Sequence, residues 1–269
     1  MSESAKELTT RIEPSGDPVA ACDRFMDSLE AWVDGCIEAY RDEPPTDGHD
    51  QLTYTTPWAT LIRHRDCPGA LAFMKRQRDR VREHFETTGQ WRHGYWARQE
   101  AHHGTEHFEL FLGTLLRLDP RDAQTLSQLE DAAEHFGNWG DGIPEFFDWD
   151  AGLFRSMHLG TEHVGDDPAS AVNVPDHFRF INIALLLGEV AEKQHYFVLA
   201  AAHLDRWAQA LESSDELPLG LRPGGTAIEW PSDEADAYGS FAGAAGIVQA
   251  DAITPVDRAE NYLASNAIE

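Results

Sequence analysis

Apolar side chains recur at helical spacing in one segment of this chain after another, whereas no segment alternates apolar and polar residues like a β-strand. The first helix is predicted to begin at Asp17-Pro18, a capping residue followed by a proline suited to the first turn, and to stop at RDEPP. The pattern therefore predicts an all-α fold with long connecting loops. Further helical regions are predicted over residues 56–88, 102–118, 120–136, 175–190, 192–213 and 255–269.

Two pairs of these helices share a residue pattern. Glu106-His107-Phe108 and Asp176-His177-Phe178 each open a helix that runs to a Leu-Leu pair, and each partner helix contains an Ala-x-His-apolar string. Repeated helical hairpins bury a continuous core only by stacking on their neighbours. We therefore expect one domain of stacked hairpins over residues 17–269, preceded by a disordered tail over residues 1–16.

The balance of charge limits the partners. Acidic residues outnumber basic ones by 47 to 21, which gives a net charge of −26 and a field that repels phosphate backbones, so no nucleic-acid partner is expected. No run of apolar residues is long enough to predict a membrane span. The dense carboxylates and the scarcity of lysine favour a protein of a high-salt organism. Three cysteines without paired spacing and an N-terminus unlike a signal peptide predict a cytoplasmic location.

A six-residue string recurs along the chain, as HHGTEH at 102–107 and HLGTEH at 158–163. In the first copy His103, Glu106 and His107 match the HxxEH zinc motif, which predicts a divalent metal site as one alternative. The second copy has Leu159 in place of the second histidine and does not keep the ligand spacing. We therefore favour a helix start at both copies, capped by Thr105 in the first copy, with no cofactor.

One predicted turn and outer helix have the sequence GEVAEKQHYFVLAAAHLDRW. Helical hairpins of this kind resemble those of the (α/α) toroids of carbohydrate-active enzymes. These include six-hairpin glycosidases, helical-toroid polysaccharide lyases and sugar epimerases, and the resemblance covers roughly residues 57–269. It implies that inner helices and the loops at one rim line a sugar-binding cleft. The chain has fewer predicted helices than a full toroid, so we expect a short version, one completed by a second copy in a homo-oligomer, or part of a longer toroid.

If the repeats place equivalent residues at one rim, their histidines meet near the cleft, and aromatic side chains of the long loops stack on sugar rings. A lyase needs a cation for the uronate carboxylate and an acid and a base, whereas a glycosidase needs a pair of carboxyl groups. The catalytic candidates are His107, His163, His177, Arg179 and Tyr95. The substrate-binding candidates are Trp96, His103, Trp139, Asp141, Glu145, Trp149 and Asn182.

The sequence thus predicts a lyase or a glycoside hydrolase that acts on a glycan containing uronic acid. Two alternatives stay open. One is a metal-dependent hydrolase that uses His103, Glu106 and His107, and the other is a helical repeat scaffold without catalytic activity.

Overall fold

The computed structural model of the chain describes residues 17–48, 50–214 and 218–228. The predicted tail over 1–16 and the predicted C-terminal helix from Pro255 lie outside the described residues. The described part is mostly helical, as predicted. It falls into two compact units, residues 17–44 with 57–73 and residues 45–56 with 74–228. None of the helices in these ranges is both long enough and apolar enough to cross a bilayer.

The helical boundaries agree with the sequence pattern to within a few residues for the long helices. A π-helical segment, Glu106–Gly113, joins α5 to α6 and was not expected. The α-helices in the described ranges are α1 (Pro18–Tyr40), α2 (Asp50–Thr53), α3 (Trp58–His64), α4 (Pro68–Thr87), α5 (Ala101–Thr105), α6 (Thr114–Leu118), α7 (Ala123–Phe136), α8 (His177–Val190) and α9 (Gln194–Ser213).

Aspartate caps fix two of the helix starts. The side chain of Asp17 accepts a hydrogen bond from the backbone N–H of Val19, and Pro18 occupies the first turn, which confirms the predicted start of α1. The side chain of Asp122 accepts from the N–H groups of Gln124 and Thr125, so α7 begins just after the Asp119-Pro120 break.

Three short antiparallel ribbons lie within the loops. Each strand has two residues, which is too short for the alternation by which a strand is recognised in sequence, so the pattern missed them. The ribbons pair β1 (Trp91–Arg92) with β2 (Tyr95–Trp96), β3 (Phe147–Asp148) with β4 (Leu153–Phe154), and β5 (Gly220–Leu221) with β6 (Ala227–Ile228).

In the first unit, α1 packs on α3. The buried side of α1 carries Met26, Val33 and Cys36, and the rings of Trp32 and Trp58 meet edge to face with centroids 6.3 Å apart. The three cysteines of the chain, all within the described ranges, form no disulfide.

The core of the second unit lies around α8, which contacts α7, α9 and the π-helical segment. The ring of Phe180 lies 4.9 Å from that of Phe136 and 5.1 Å from that of Phe154, and Phe178 packs 5.1 Å from Trp207. α8 and α9 form the predicted helical hairpin.

A row of cations on α4 faces aspartates at the start of α7 and along it. Lys75 contacts Asp119 at 2.7 Å and Asp122 at 2.9 Å, while Arg78 reaches Asp122 at 2.8 Å. Burial raises the pKa of Asp122, but the hydrogen bonds from Lys75 and Arg78 outweigh burial and set it at about 2. These pairs hold α7 against α4.

The two copies of the repeated string adopt different structures, so the expectation that both begin a helix was wrong. Residues 102–107 are helical, whereas residues 158–163 form an extended turn with a bridge between Leu159 and Val164. Thr105 does not cap a helix either, because its hydroxyl donates to the carbonyl of Ala101 one turn earlier. A shared five-residue identity did not decide the backbone, since packing partners outweigh local propensity.

Two asparagine side chains satisfy the backbone of the β3–β4 ribbon. Oδ1 of Asn138 accepts from the N–H groups of Phe146 and Phe147, and its amide donates to the Phe147 carbonyl. On the other strand, Oδ1 of Asn173 accepts from the Phe154 N–H at 2.8 Å, and its amide donates to the Phe154 carbonyl. Each asparagine side chain therefore supplies the hydrogen bonds that a neighbouring strand would supply. Without them the buried backbone at the ribbon edge would lack partners.

We predict that Asn173→Leu destabilises the fold. Leucine fills a similar volume but leaves the N–H and the carbonyl of buried Phe154 without partners, at a cost of about 1–3 kcal/mol for each group. Urea unfolding followed by circular dichroism measures the loss of unfolding free energy. Gln194→Leu, at an exposed position on α9, is the matched control. Equal stability of the two variants would show that Asn173 does not pin the ribbon.

Candidate functional site

Titratable side chains from four parts of the second unit meet where the loops join α5 and α8. We call this group the histidine–carboxylate cluster, and hydrogen bonds or ion pairs connect its members. The cluster consists of Glu100, His102, His103, Glu106, His158, Asp176 and Arg179.

At its centre His102 lies between two carboxylates. Its Nδ1 is 3.0 Å from Oδ1 of Asp176, a carboxylate that is fully buried, and its Nε2 is 3.4 Å from Oε1 of Glu106. A buried carboxylate bonded to one ring nitrogen fixes the tautomer and the orientation of an imidazole, so Asp176 directs the other nitrogen of His102 towards Glu106. Neither His102 nor Asp176 was a site candidate in the sequence, although they are the centre of the cluster.

The guanidinium of Arg179 contacts the same two carboxylates, those of Asp176 and Glu106. Its Nη1 lies 3.2 Å from Oδ1 of Asp176 and 3.9 Å from Oε1 of Glu106, and it donates to the carbonyl of His102 at 3.0 Å. The guanidinium is buried and compensates the charge of Asp176, which would be costly to bury alone. The predicted catalytic residue Arg179 thus contacts the cluster through its carboxylates.

A second pair of contacts lies beside the first. Glu100 faces the Nδ1 of His103 at 3.4 Å and the Nε2 of His158 at 3.8 Å. A β-bridge between Glu100 and His158 brings the two copies of the repeated string together. The repeat therefore does mark one place in the fold, although its copies reach it with different backbones.

The change from α- to π-helix begins at Glu106, within the cluster. Single wide turns of this type are frequent at functional sites. His103 and His107, the two histidines of the predicted zinc motif, have different surroundings. His107 is buried with its ring 4.8 Å from Trp91, whereas the side chain of His103 is half exposed.

The other predicted catalytic residues lie apart from these contacts. The Tyr95 hydroxyl is buried and donates to the Ala132 carbonyl at 2.7 Å, and burial raises the pKa of this phenol. His163 is half-buried in the turn that follows Glu162. Burial and the bond to the Ala132 carbonyl keep the Tyr95 hydroxyl out of contact with solvent.

His177 is a satisfied core histidine in this structure. The Val174 N–H donates to its Nδ1 at 2.9 Å, and its Nε2–H donates to the Ser156 carbonyl at 3.0 Å, which together fit one neutral tautomer. Burial lowers the pKa of His177 to about 4. Nearby His203, whose ring centroid lies 6.4 Å away, has a pKa lowered by burial to about 3.

Two of the predicted sugar-binding tryptophans meet at the surface. The rings of Trp139 and Trp149 have centroids 5.7 Å apart, and His195 lies 4.3 Å from Trp139. Trp149 is 39% exposed and donates its indole N–H to the Gly137 carbonyl. Trp96, by contrast, is half-buried and packs 4.9 Å from Phe85.

The predicted acidic loop is organised by an arginine. Glu145 pairs with Arg155 at 2.8 Å, and Asp148 accepts from the N–H groups of Asp150 and Ala151 within its own turn. Asp141 is exposed, and Asn182 is half-buried on α8. These carboxylates therefore have structural partners, and the structure does not bring Asp141, Glu145 and Asn182 into the cluster.

A second centre, which the sequence reasoning missed, joins His93, Asp131 and His135. One ligand atom of each lies within 4.8 Å of the others, and this is the one group of three or more potential metal ligands at that spacing among residues 17–48, 50–214 and 218–228. His103, Glu106 and His107 do not form such a group. The signal available in the sequence was the i, i+4 pair of Asp131 and His135 on a helix, but His93 arrives from a distant turn.

An open groove of about 600 Å³ runs beside α4 and α7. Arg82 lines it and also bonds Oδ2 of Asp131 at 2.8 Å, so the groove lies next to the second centre. The remaining lining is charged or polar, with Arg78, Asp79 and Gln128 among its residues.

Comparison of the chain with protein-family models, with curated protein sequences and with solved structures gave no match.

We predict that the two buried histidines make the fold acid-sensitive. Unfolded histidines take up a proton near pH 6.5, whereas His177 and His203 resist protonation down to about 4 and about 3 in the fold. The unfolded state therefore binds more protons in this window. Their contribution to stability is complete above pH 6.5 and is lost on acidification, by about 1.4 kcal/mol per pH unit for each histidine.

Urea unfolding at several pH values measures this slope. His203→Leu is expected to reduce the slope between the two pKa values by about 1.4 kcal/mol per pH unit, whatever its effect at neutral pH. The exposed His64→Leu is the control and should leave the slope unchanged. An unchanged slope in His203→Leu would contradict burial of a neutral imidazole at this position.

Proposed function

We propose that the chain is a carbohydrate-active enzyme that cleaves glycosidic bonds by general acid–base catalysis at the histidine–carboxylate cluster. The observation that carries this proposal is the series Asp176–His102–Glu106, in which a buried carboxylate orients an imidazole towards a second, less buried carboxyl group. Glycoside hydrolysis needs a proton donor for the leaving oxygen and a base for the attacking water, and the cluster supplies groups of both types.

The roles follow from the contacts. Asp176 and Arg179 position His102, whose Nε2 acts as the base together with Glu106. Glu100, whose carboxyl group lies between the imidazoles of His103 and His158, is the candidate proton donor. The half-exposed side chains of His103, Glu100 and His158 form the side of the cluster open to substrate.

The contacts of Arg179 favour hydrolysis over β-elimination. A lyase needs a cation that neutralises the uronate carboxylate in the transition state. Arg179, the predicted neutraliser, is buried and contacts Asp176 and Glu106 instead, so it acts as a positioning residue. We therefore place hydrolysis first, and a uronic-acid-containing glycan is one substrate class beside neutral glycans.

The sugar part of the proposal draws on the surface pair of Trp139 and Trp149. A flat indole face beside polar groups suits the apolar face of a pyranose ring. Trp149 is 39% exposed, so part of its ring is available for such stacking. A toroid-like arrangement of the hairpins, a homo-oligomer and a cytoplasmic location in a high-salt organism belong to the same proposal.

Cleavage of a panel of neutral and acidic polysaccharides tests the proposed activity. Hydrolysis yields new reducing ends alone, whereas elimination also yields an unsaturated product that absorbs in the ultraviolet. We expect reducing ends without ultraviolet absorbance. Ultraviolet absorbance would replace hydrolysis by elimination, and an intact panel would refute the proposal.

We predict that His102→Gln and Asp176→Asn each lower kcat by about 10²–10⁴-fold on the glycan that is cleaved, because each removes the oriented base. Both side chains keep nearly the same volume, and circular dichroism checks that both variants fold. Glu162→Gln, on an exposed loop residue, is the matched control and should keep full activity. Activity within a few-fold of the native chain in His102→Gln would refute the role of His102.

We also predict that Trp149→Ala weakens glycan binding with little change in kcat. Loss of one stacking face costs about 0.5–1.5 kcal/mol, which corresponds to an increase in KM of up to about tenfold. The control is Trp32→Ala, which removes a tryptophan on α1 that is 51% exposed. An equal increase in KM in both variants would show that the Trp139–Trp149 surface does not bind the sugar.

A further inference from the structure

His93, Asp131 and His135 bring two imidazoles and a carboxylate together outside the histidine–carboxylate cluster. Nδ1 of His93 lies 2.9 Å from Oδ1 of Asp131, and Nε2 of His135 lies 4.0 Å from the same oxygen. The two imidazole rings face each other with centroids 3.9 Å apart. Two rings and one carboxylate oxygen therefore surround a single small volume.

His135 has unused bonding capacity. It is only 4% exposed, yet within the described part of the chain neither of its ring nitrogens makes a hydrogen bond. A buried polar group without a partner costs about 1–3 kcal/mol. In the neutral tautomer with its proton on Nε2, Nδ1 of His135 has a lone pair that no protein group uses. A ligand that accepts this lone pair would remove the cost.

The local backbone fixes both rings at this place. His93 has φ +59° and Gly94 has φ +80° in the two-residue turn between β1 and β2, the conformation for which Asn-Gly is the preferred pair. A histidine here carries a conformational cost that no packing requirement of the turn explains. At His135, a Cβ added to Gly140 would lie 2.7 Å from ring atom Cε1, so the loop passes directly over the imidazole and holds it.

The third ligand is oriented by an arginine. Arg82 donates to Oδ2 of Asp131 at 2.8 Å and pairs with Glu86 at 2.7 Å, so Oδ1 remains directed at the two imidazoles. Metal-binding carboxylates are held in this way by an outer hydrogen bond. Arg82 also lines the open groove, which gives an ion a route from solvent.

We infer that His93, Asp131 and His135 bind a divalent transition-metal ion of the zinc type. Two nitrogens and one oxygen suit zinc and its neighbours, whereas magnesium and calcium prefer oxygen ligands alone. Bonds of about 2.0–2.2 Å require the three ligand atoms to draw together by roughly an ångström. The side chain of His93 is only half-buried, so its rotation can supply this movement.

Three protein ligands leave a coordination position open. The side chains of His93 and Asp131 keep about a third of their surface exposed, so the open position faces solvent. A water bound there is acidified by the ion, which makes the centre suited to hydrolytic chemistry. The inference stands on residues outside the proposed catalytic cluster, and it can fail or hold independently of the proposed function.

Metal titration of the full chain tests the inference. Zn²⁺ competed against a chromophoric chelator should bind with one tight equivalent per chain, and Mg²⁺ should not displace it. Co²⁺ in the same site should give the visible bands of a four- or five-coordinate ion with nitrogen ligands. Absence of tight Zn²⁺ binding would overturn the inference.

Variants separate this site from adventitious binding by the chain's other histidines. His93→Asn removes a ligand while placing the preferred residue in an Asn-Gly turn, so the fold is retained. Asp131→Asn keeps the shape of the carboxylate without its charge. Both should weaken Zn²⁺ binding at least about 100-fold and abolish the Co²⁺ bands. The exposed His64→Ala is the control, and equal affinities in His93→Asn and His64→Ala would assign the metal elsewhere.

Discussion

The buried backbone groups between α7 and α8 need hydrogen-bond partners, and the rest of the second unit depends on how this need is met. This connection carries β3 and β4 into the core, where Phe154 packs against Phe180, and a buried strand edge needs hydrogen-bond partners. Asn138 and Asn173 supply them from either side of the ribbon. Because the ribbon is fixed, the chain enters and leaves it at defined points. The loop before the ribbon passes over His135, and the segment after it leads to Asp176.

Both candidate centres lie where that connection meets a helix end. In the histidine–carboxylate cluster, Asp176 reaches back across 74 positions of sequence to His102. In the second centre, the turn at His93 meets Asp131 on α7 across 38 positions. Helices supply the rigid half of each centre and loops supply the half that selects the chemistry, which is the usual division between scaffold and site.

The acidic composition acts differently inside and outside the fold. Lys75, Arg78 and Arg82 are held in ion pairs along α4, and buried Arg179 compensates Asp176, so several of the few cations have internal partners. The excess of carboxylates over cations gives the chain its strongly negative field.

The periodicity of apolar residues determined the helical class and most boundaries, because a helix buries one face at a spacing that is readable along the chain. Asp17-Pro18 determined the start of α1 in the same local way. Only the tertiary structure decided that HHGTEH is helical and HLGTEH extended, since their backbones follow different neighbours. It also decided that His177 is a neutral core residue. In the same way it placed His102 between two carboxylates and His135 beside His93 and Asp131. Burial and partners that are distant in sequence determine the role of a histidine, and neither can be inferred from the residues next to it in the sequence.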